Sequence, residues 1–174
     1  MKHLTRLALI ALMFLFSGCI WKYSPRPGTI PVHIKSVAID NTKNSTAEFN
    51  LGQEFTVLLT EKLMLENLLP LSDPSVAHSV IYTGLKNISD AVFSYDETDV
   101  VKEYRLSLNL DFRWYDTANS LDMMQKTLSD YEIYYSDSYN NTLSEDDRVN
   151  REIALDRLME KLADKVIVEL TSQW

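Results

Sequence analysis

The clearest pattern in the chain is an alternation of apolar and polar residues over positions 103–115. The even-numbered positions from 106 to 114 are all apolar, and the odd-numbered positions from 105 to 113 are all polar or charged. Successive side chains of a strand point to opposite faces, so this pattern predicts a strand with one buried and one wet face. Such alternation is typical of an antiparallel sheet that packs on one side only.

Three further segments have the composition of strands. They are rich in β-branched and aromatic residues and are bounded by turn-forming residues, and they lie at 32–39, 79–88 and 127–139. The acidic stretch that follows the second of them, 89–99, is predicted to be a loop or a strand end.

Apolar residues spaced three or four positions apart predict two helices. The first runs from Asn50 to about Asn67, with Asn50 as its N-cap and Gln53 returning the capping bond. The second opens with Ser144 and Asp147 in the same arrangement and continues to the end of the chain.

The predicted order of elements is strand, helix, strand, strand, strand, helix. The first helix brings the chain back, so strands one and two should lie parallel with a right-handed crossover, and the later strands should be antiparallel. Each helix has one apolar stripe, and both should cover the same face of the sheet. The sequence therefore predicts an α+β fold: a two-layer sandwich of a four-stranded mixed sheet with two helices on one face, leaving the other face polar and open.

The N-terminus has the features of a secretory signal. Lys2 and Arg6 are followed by the uninterrupted apolar stretch 7–16, then by Ser17 and Gly18. A helix needs about 20 residues to cross a membrane, so this stretch is too short for a permanent span.

Cys19, the single cysteine, follows these small residues directly. The arrangement resembles the signal of bacterial lipoproteins, in which the cysteine is acylated and becomes the first mature residue; Phe16 stands where leucine is usual. The alternative is a buried free thiol. The resemblance implies a signal peptide at 1–18, an acylated Cys19 with a proline-rich tether over 19–31, and a single domain over 32–174. Ile20, in place of aspartate, implies delivery to the outer membrane.

Charge and motif content exclude several functions. A formal net charge of −8 disfavours nucleic acid and broad adhesion to anionic lipid. His33 and His78 lie outside any metal-ligand spacing, so no metal site and no cofactor are expected. The chain lacks a nucleophile motif and a glycine-rich phosphate loop, so we expect no enzymatic activity.

The tyrosines of the fourth strand are harder to interpret. Tyr131 and Tyr135 share a strand face with Ile133, which favours packing in the core or at the sheet edge. Tyr134 should then point to the open side, where an aromatic ring with a polar tip suits a partner surface.

Three segments together resemble the LptE-type lipopolysaccharide-assembly lipoproteins. They are "PVHIKSVAIDNTKN", "VVKEYRLSLNLDFRWYD" and "REIALDRLMEKLADKVIVELTSQW", and in this order the likeness covers nearly the whole mature chain. The resemblance implies a non-enzymatic, lipid-anchored protein on the periplasmic face of the outer membrane of a Gram-negative cell. Such a protein plugs an LptD-type β-barrel, helps it assemble, and in some members binds lipopolysaccharide.

The candidate contact residues for lipopolysaccharide or barrel are Lys102, Arg105 and Arg113. The loop "SYDETD" at 94–99 is acidic, so it offers no basic clamp. Arg105 and Arg113 share the polar face about 27 Å apart, too far for one phosphate but suited to an extended ligand or a barrel wall. In the alternative, both are solvated or pair with Asp111 and Glu103.

Two other functions stay open at this point. One is a periplasmic lipoprotein that scaffolds a different envelope complex. The other, weaker, is an envelope hydrolase, against which the absent nucleophile–base pattern counts.

Overall fold

A computed structural model describes residues 30–172, and these contain five strands, three α-helices and a short 3₁₀ turn. The elements are β1 (Val37–Ile39), β2 (Lys43–Asn44), α1 (Leu51–Glu66), β3 (Ser79–Tyr95), β4 (Val101–Asp116), β5 (Leu121–Tyr135), α2 (Asp137–Asn140), the 3₁₀ turn (Glu145–Asp147) and α3 (Arg151–Ser172). The predicted signal peptide, Cys19 and most of the tether lie outside the described residues.

The strands form one mixed sheet in the order β1–β3–β4–β5. β1 is parallel to β3, with Val37 opposite Ser79, whereas β3, β4 and β5 are successively antiparallel. The two-residue β2 also pairs with β3 in parallel and was not predicted, because two residues carry no periodic signal. The predicted α+β fold class and the parallel first pair are confirmed.

The core lies between the sheet and the two long helices. The even-numbered side chains of β4 from Leu106 to Trp114 are fully buried, and they belong to one apolar cluster with the inner faces of α1 and α3. Burial of each such side chain contributes about 2 kcal/mol of hydrophobic free energy. The odd-numbered side chains of β4 lie on the opposite face, as the alternation predicts.

The start of α1 differs from the prediction. Asn50 has a left-handed backbone, with φ of 60°, and its side chain makes no capping bond. Its carbonyl oxygen instead accepts the backbone N–H groups of Gln53 and Glu54. A β-carbon on Gly52 would lie 2.5 Å from the Thr42 carbonyl oxygen, so glycine lets the first turn of α1 approach the chain beside β2.

The last helix begins later than predicted. Ser144 does hydrogen-bond to Asp147, but the two residues frame the 3₁₀ turn, which ends when Arg148 becomes extended. Asn150 caps α3, since its side-chain oxygen accepts the backbone N–H of Ile153 at 2.9 Å. The predicted capping pair therefore belongs to a local turn, and the helix begins after a second cap at Asn150.

The central hairpin is longer than predicted. β3 continues to Tyr95 instead of ending near Ile88, and Asp96 closes the tip by accepting the backbone N–H groups of Thr98 and Val100. β5 begins at Leu121 rather than at 127 and ends at Tyr135, so Tyr139 lies in α2.

Candidate binding surface

Neither long helix covers the open face of the sheet. This face holds a depression of about 700 Å³ over the middle of β3, β4 and β5. Gly84 lies within it, and a β-carbon there would make only ordinary contacts at 3.8 Å, so the missing side chain opens space without being sterically required. Basic and acidic residues both line the depression: Lys43, Lys86, Arg113, Asp40 and Asp111. Lys126 also belongs to the lining, but its ammonium group donates to Glu169 of α3 at 2.7 Å. The depression thus offers three basic side chains on a protein that is acidic as a whole.

Arg113 is held in place on this face. Its guanidinium lies 4.2 Å from the ring centre of Tyr82 and 5.5 Å from that of Tyr115. Its Nη1 also donates to Asp122 at 3.2 Å. Stacking and pairing fix the orientation of the guanidinium and leave it half-exposed, which suits a planar, anionic or polar ligand.

Arg105 is less constrained. It is exposed on the same face, and its guanidinium lies 5.8 Å from the ring centre of Tyr131. Within residues 30–172 it forms no ion pair. Arg105 therefore has more capacity than Arg113 to bind an external anion.

The carboxylates that were the alternative partners of these arginines bind elsewhere. Asp111 pairs with Lys86 at 3.2 Å, and Glu103 accepts the hydroxyl of Ser94. Neither Lys43 nor Lys86 was singled out from the sequence, because β2 is short and Lys86 sits at an irregularity in the register of β3.

Lys102 does not join the two arginines. It lies at the start of β4, where the register with β3 shifts, and its ammonium group lies 4.8 Å from the ring centre of Tyr139. The three predicted contact residues are thus spread along β4, each beside at least one tyrosine, and they do not converge on one ligand-sized pocket.

The tyrosine assignment was wrong. Tyr134 is opposite Tyr104 and points to the helix side, where the rings stack 5.4 Å apart and the Tyr134 hydroxyl donates to Asp90. Burial, and then the Asp90 carboxylate, raise the pKa of Tyr134 to about 12. Tyr131 is on the open face with Arg105 and is half-exposed. An apolar neighbour such as Ile133 therefore did not mark the core side of this strand.

The histidines have structural surroundings. His33 bonds to the buried Asp116 at 2.6 Å, and His78 bonds to the hydroxyl of Ser36. Burial raises the pKa of Asp116, but hydrogen bonds from His33 and Asn119 outweigh it and lower that pKa to about 2. Residues 30–172 contain no cluster of metal-binding side chains and no helix long and apolar enough to cross a membrane.

Several solved structures have the same fold. The hypothetical protein CT253 from Chlamydia trachomatis superposes with a TM-score of 0.54 at 14% identity, covering 78% of this chain and 96% of that one. Rare lipoprotein B from Shewanella oneidensis gives 0.53 at 16% identity, covering 78% and 92%. The PelC dodecamer from Paraburkholderia phytofirmans gives 0.52 at 14% identity, covering 83% and 94%. Likeness at such identities concerns the fold alone.

The family assignment comes from the sequence. No curated protein matches the chain. The family model described as "LptE: Lipopolysaccharide-assembly" matches residues 34–170, from the segment before β1 almost to the end of α3. This match confirms the resemblance seen in the three segments, and the chain belongs to the LptE family of non-catalytic lipopolysaccharide-assembly lipoproteins.

Proposed function

We propose that this protein is anchored to the periplasmic face of the outer membrane through an acylated Cys19 and forms the plug of an LptD-type β-barrel. In this role it assists assembly of the barrel and delivery of lipopolysaccharide to the cell surface. The observation that carries the proposal is the family match over residues 34–170, which includes every strand, the whole of α1 and nearly all of α3.

The shape of the domain supports a role inside a larger partner. Helices α1 and α3 cover one face of the sheet, and the other face is left to solvent along the full length of β4. A wet face with a fixed Arg113, a freer Arg105 and the half-exposed Tyr131 provides the polar, aromatic and cationic groups typical of protein interfaces. The barrel wall would meet this surface.

The basic groups of the open face support contact with an anionic lipid. Lys43, Lys86 and Arg113 line the depression, and Arg105 lies farther along the same face of β4. Spread over this distance they suit an extended ligand that carries several anionic groups, rather than a single phosphate. In this proposal Arg105 makes the strongest contact, because no carboxylate in the described residues competes for it. Lys102, whose ammonium group lies near the ring of Tyr139, contributes a contact to the barrel.

The test is a pulldown in mild detergent of tagged full-length protein from native membranes. Mass spectrometry should find an acyl-modified Cys19 at the N-terminus of the protein and a large β-barrel among its partners. If the protein carries an acylated Cys19 but captures another envelope complex and no barrel, the plug role is wrong and the protein scaffolds that other complex. An unmodified Cys19 in a full-length chain would refute the anchor.

A variant separates the anchor from the plug. Cys19→Ala removes the acylation site and leaves residues 30–172 unchanged, so we expect the protein to leave the membrane fraction when the barrel is depleted. With the barrel present, the open face should still hold part of the protein at the outer membrane.

A further inference from the structure

The outer edge of β3 is paired over only half of its length. β1 and β2 cover Ser79–Leu85 on this side. Beyond Leu85, no strand within residues 30–172 pairs with this edge, although β3 continues to Tyr95. On its other side β3 is paired with β4 throughout.

The register identifies the backbone groups that point outward. The N–H of Ser79 and the carbonyl of Leu85 bond towards β1 and β2, so the residues of β3 that lie opposite even-numbered residues of β4 have outward backbone groups. Beyond the shift at Lys86, the residues opposite Leu108, Leu106 and Tyr104 are Ile88, Asp90 and Val92. These three residues present N–H and C=O groups along the free edge.

The opposite edge of the sheet is protected over residues 129–135. Lys161 and Lys165 of α3 donate to the carbonyl oxygens of Tyr131 and Ser129 on the outer side of β5, and Tyr135 bonds to Val149. Capping by charged side chains prevents a further strand from pairing there. The free half of β3 has no comparable cover in the described residues, and its side chains at Val92, Phe93 and Tyr95 are 45%, 55% and 59% exposed.

We propose that the edge 87–92 binds a short extended segment of a protein partner as an added strand. The inference rests on the proposed function and takes the barrel as the protein that supplies the segment. Register shifts at Lys86 and Phe93 bound the regular stretch, so the added strand is about six residues long. Carboxylates at Asp96, Glu97 and Asp99 surround the hairpin tip, and the segment should therefore carry Lys or Arg at the end nearest the tip.

Charge disfavours a second copy of this chain as the occupant. For all three outward residues to pair between two antiparallel copies, Ile88 must face Val92 and Asp90 must face the Asp90 of the other copy. Directly opposed like groups disfavour a strand pair, and each Asp90 already pairs with its own Arg151, so a second copy brings this acidic edge no new cation. A partner segment that carries Lys or Arg supplies one.

The experiment compares two variants that differ in one backbone group. Asp90→Ala and Asp90→Pro both lose the carboxylate that binds Arg151 and Tyr134. Only proline also removes the outward N–H, and at an unpaired edge it breaks no bond to β4. We expect Asp90→Ala to retain the barrel in pulldowns and Asp90→Pro to bind it about tenfold more weakly, the effect of one lost hydrogen bond of ~1.4 kcal/mol.

Amide hydrogen exchange on the wild-type complex keeps the proposal testable if Asp90→Pro fails to fold. The amides of Ile88, Asp90 and Val92 should become protected when the purified barrel complex is compared with the free protein. A barrel complex in which these amides exchange as in the free protein would overturn the added strand while leaving the plug intact. If these amides are protected in the free protein, and more strongly at higher protein concentration, the added strand comes from a second copy of this chain and not from the barrel. Absence of any barrel from wild-type pulldowns would refute the proposed function and, with it, this inference.

Discussion

The two halves of β3 show how one strand can serve both folding and binding. From Ser79 to Leu85 the strand lies between β1 or β2 and β4, and most of its side chains are buried. From Lys86 to Tyr95 it keeps its bonds to β4 but loses its outer neighbour, and most of its side chains are exposed. The first half stabilises the domain, whereas the second projects a hydrogen-bonded but uncovered surface beyond the core.

This difference teaches that strand formation and burial are separable. Backbone bonds to β4 hold the second half extended, and the Asp96 side chain secures the tip by accepting the N–H groups of Thr98 and Val100. Exposed apolar residues at such a position are costly in solution and are typical of interaction surfaces.

The largest effect should come from removing a core side chain from the first half. Leu85→Ala empties a fully buried site and should lower the free energy of unfolding by about 3 kcal/mol. Val92→Ala in the second half should change it by less than about 0.5 kcal/mol, because that side chain is half-exposed. Denaturant unfolding measures both, and equal losses would contradict the comparison.

A second pair of variants compares the turns at the two ends of β4. Asp116 is 2% exposed and accepts bonds from His33, Asn119 and the backbone N–H of Ala118. Asp116→Ala should lower the free energy of unfolding by about 2 kcal/mol, since it removes a buried charged acceptor and with it the bonds from His33, Ala118 and Asn119. Asp96→Ala at the exposed tip should cost less. A larger loss for Asp96→Ala would mean that the hairpin tip contributes more to the stability of the fold than the turn at Asp116.

The acid stability of the protein should depend on the same carboxylate. The pKa of Asp116 is lowered from 3.8 to about 2 in the folded state. A lowered pKa stabilises the fold above the unfolded-state pKa, and this contribution is lost as the pH falls from about 4 towards 2. Thermal melting of Asp116→Ala should fall less steeply than that of the wild type across this interval. Parallel curves would refute the role assigned to Asp116.

A smaller effect is expected from Tyr134, which bonds to the second half of β3 on the helix side of the sheet. Tyr134→Phe removes the hydroxyl that binds Asp90 and should cost about 1 kcal/mol. Because the pKa of Tyr134 is raised from 10.0 to about 12, the wild type should lose stability as the pH rises through that interval, and the variant should lose less. Melting curves at alkaline pH measure the difference, and an identical alkaline loss in both proteins would exclude the Tyr134–Asp90 bond.

The smallest change in stability should come from the open face. Arg105→Glu should alter the free energy of unfolding by no more than about 0.5 kcal/mol, because the side chain is exposed, yet it should weaken capture of the barrel or of lipopolysaccharide. Asn109→Glu, on the same face of β4, is the matched control for an added carboxylate. Undiminished capture of both partners by Arg105→Glu would remove this residue from the binding surface.

The elements that could be predicted well from the sequence are those whose two faces differ in burial. β4 alternates cleanly because one face is fully buried, and its extent and orientation were predicted closely. The second half of β3 was taken for a loop or strand end because both of its faces are exposed, so hydrogen bonding leaves no periodic trace in the side chains.

Local capping patterns were less informative than they looked. Ser144 and Asp147 form the expected contact, but the extended Arg148 breaks the helix that should follow, and Asn150 then provides a second cap. Among the candidate binding residues, the shared face of Arg105 and Arg113 could be predicted from alternation. The packing of Arg113 against two tyrosines and the contribution of Lys43 and Lys86 could not be predicted, because they depend on tertiary register.

The most direct test of the two-part strand is amide hydrogen exchange of the free protein, resolved residue by residue along β3. The account predicts slow exchange at Ser79, which bonds to Ser36, and an alternating pattern beyond Leu85. There the amides of Asn87, Ser89 and Ala91 should exchange slowly and those of Ile88, Asp90 and Val92 rapidly. Uniformly slow exchange across 87–92 would show that the edge is already covered, and uniformly rapid exchange would show that the second half of the strand is not formed.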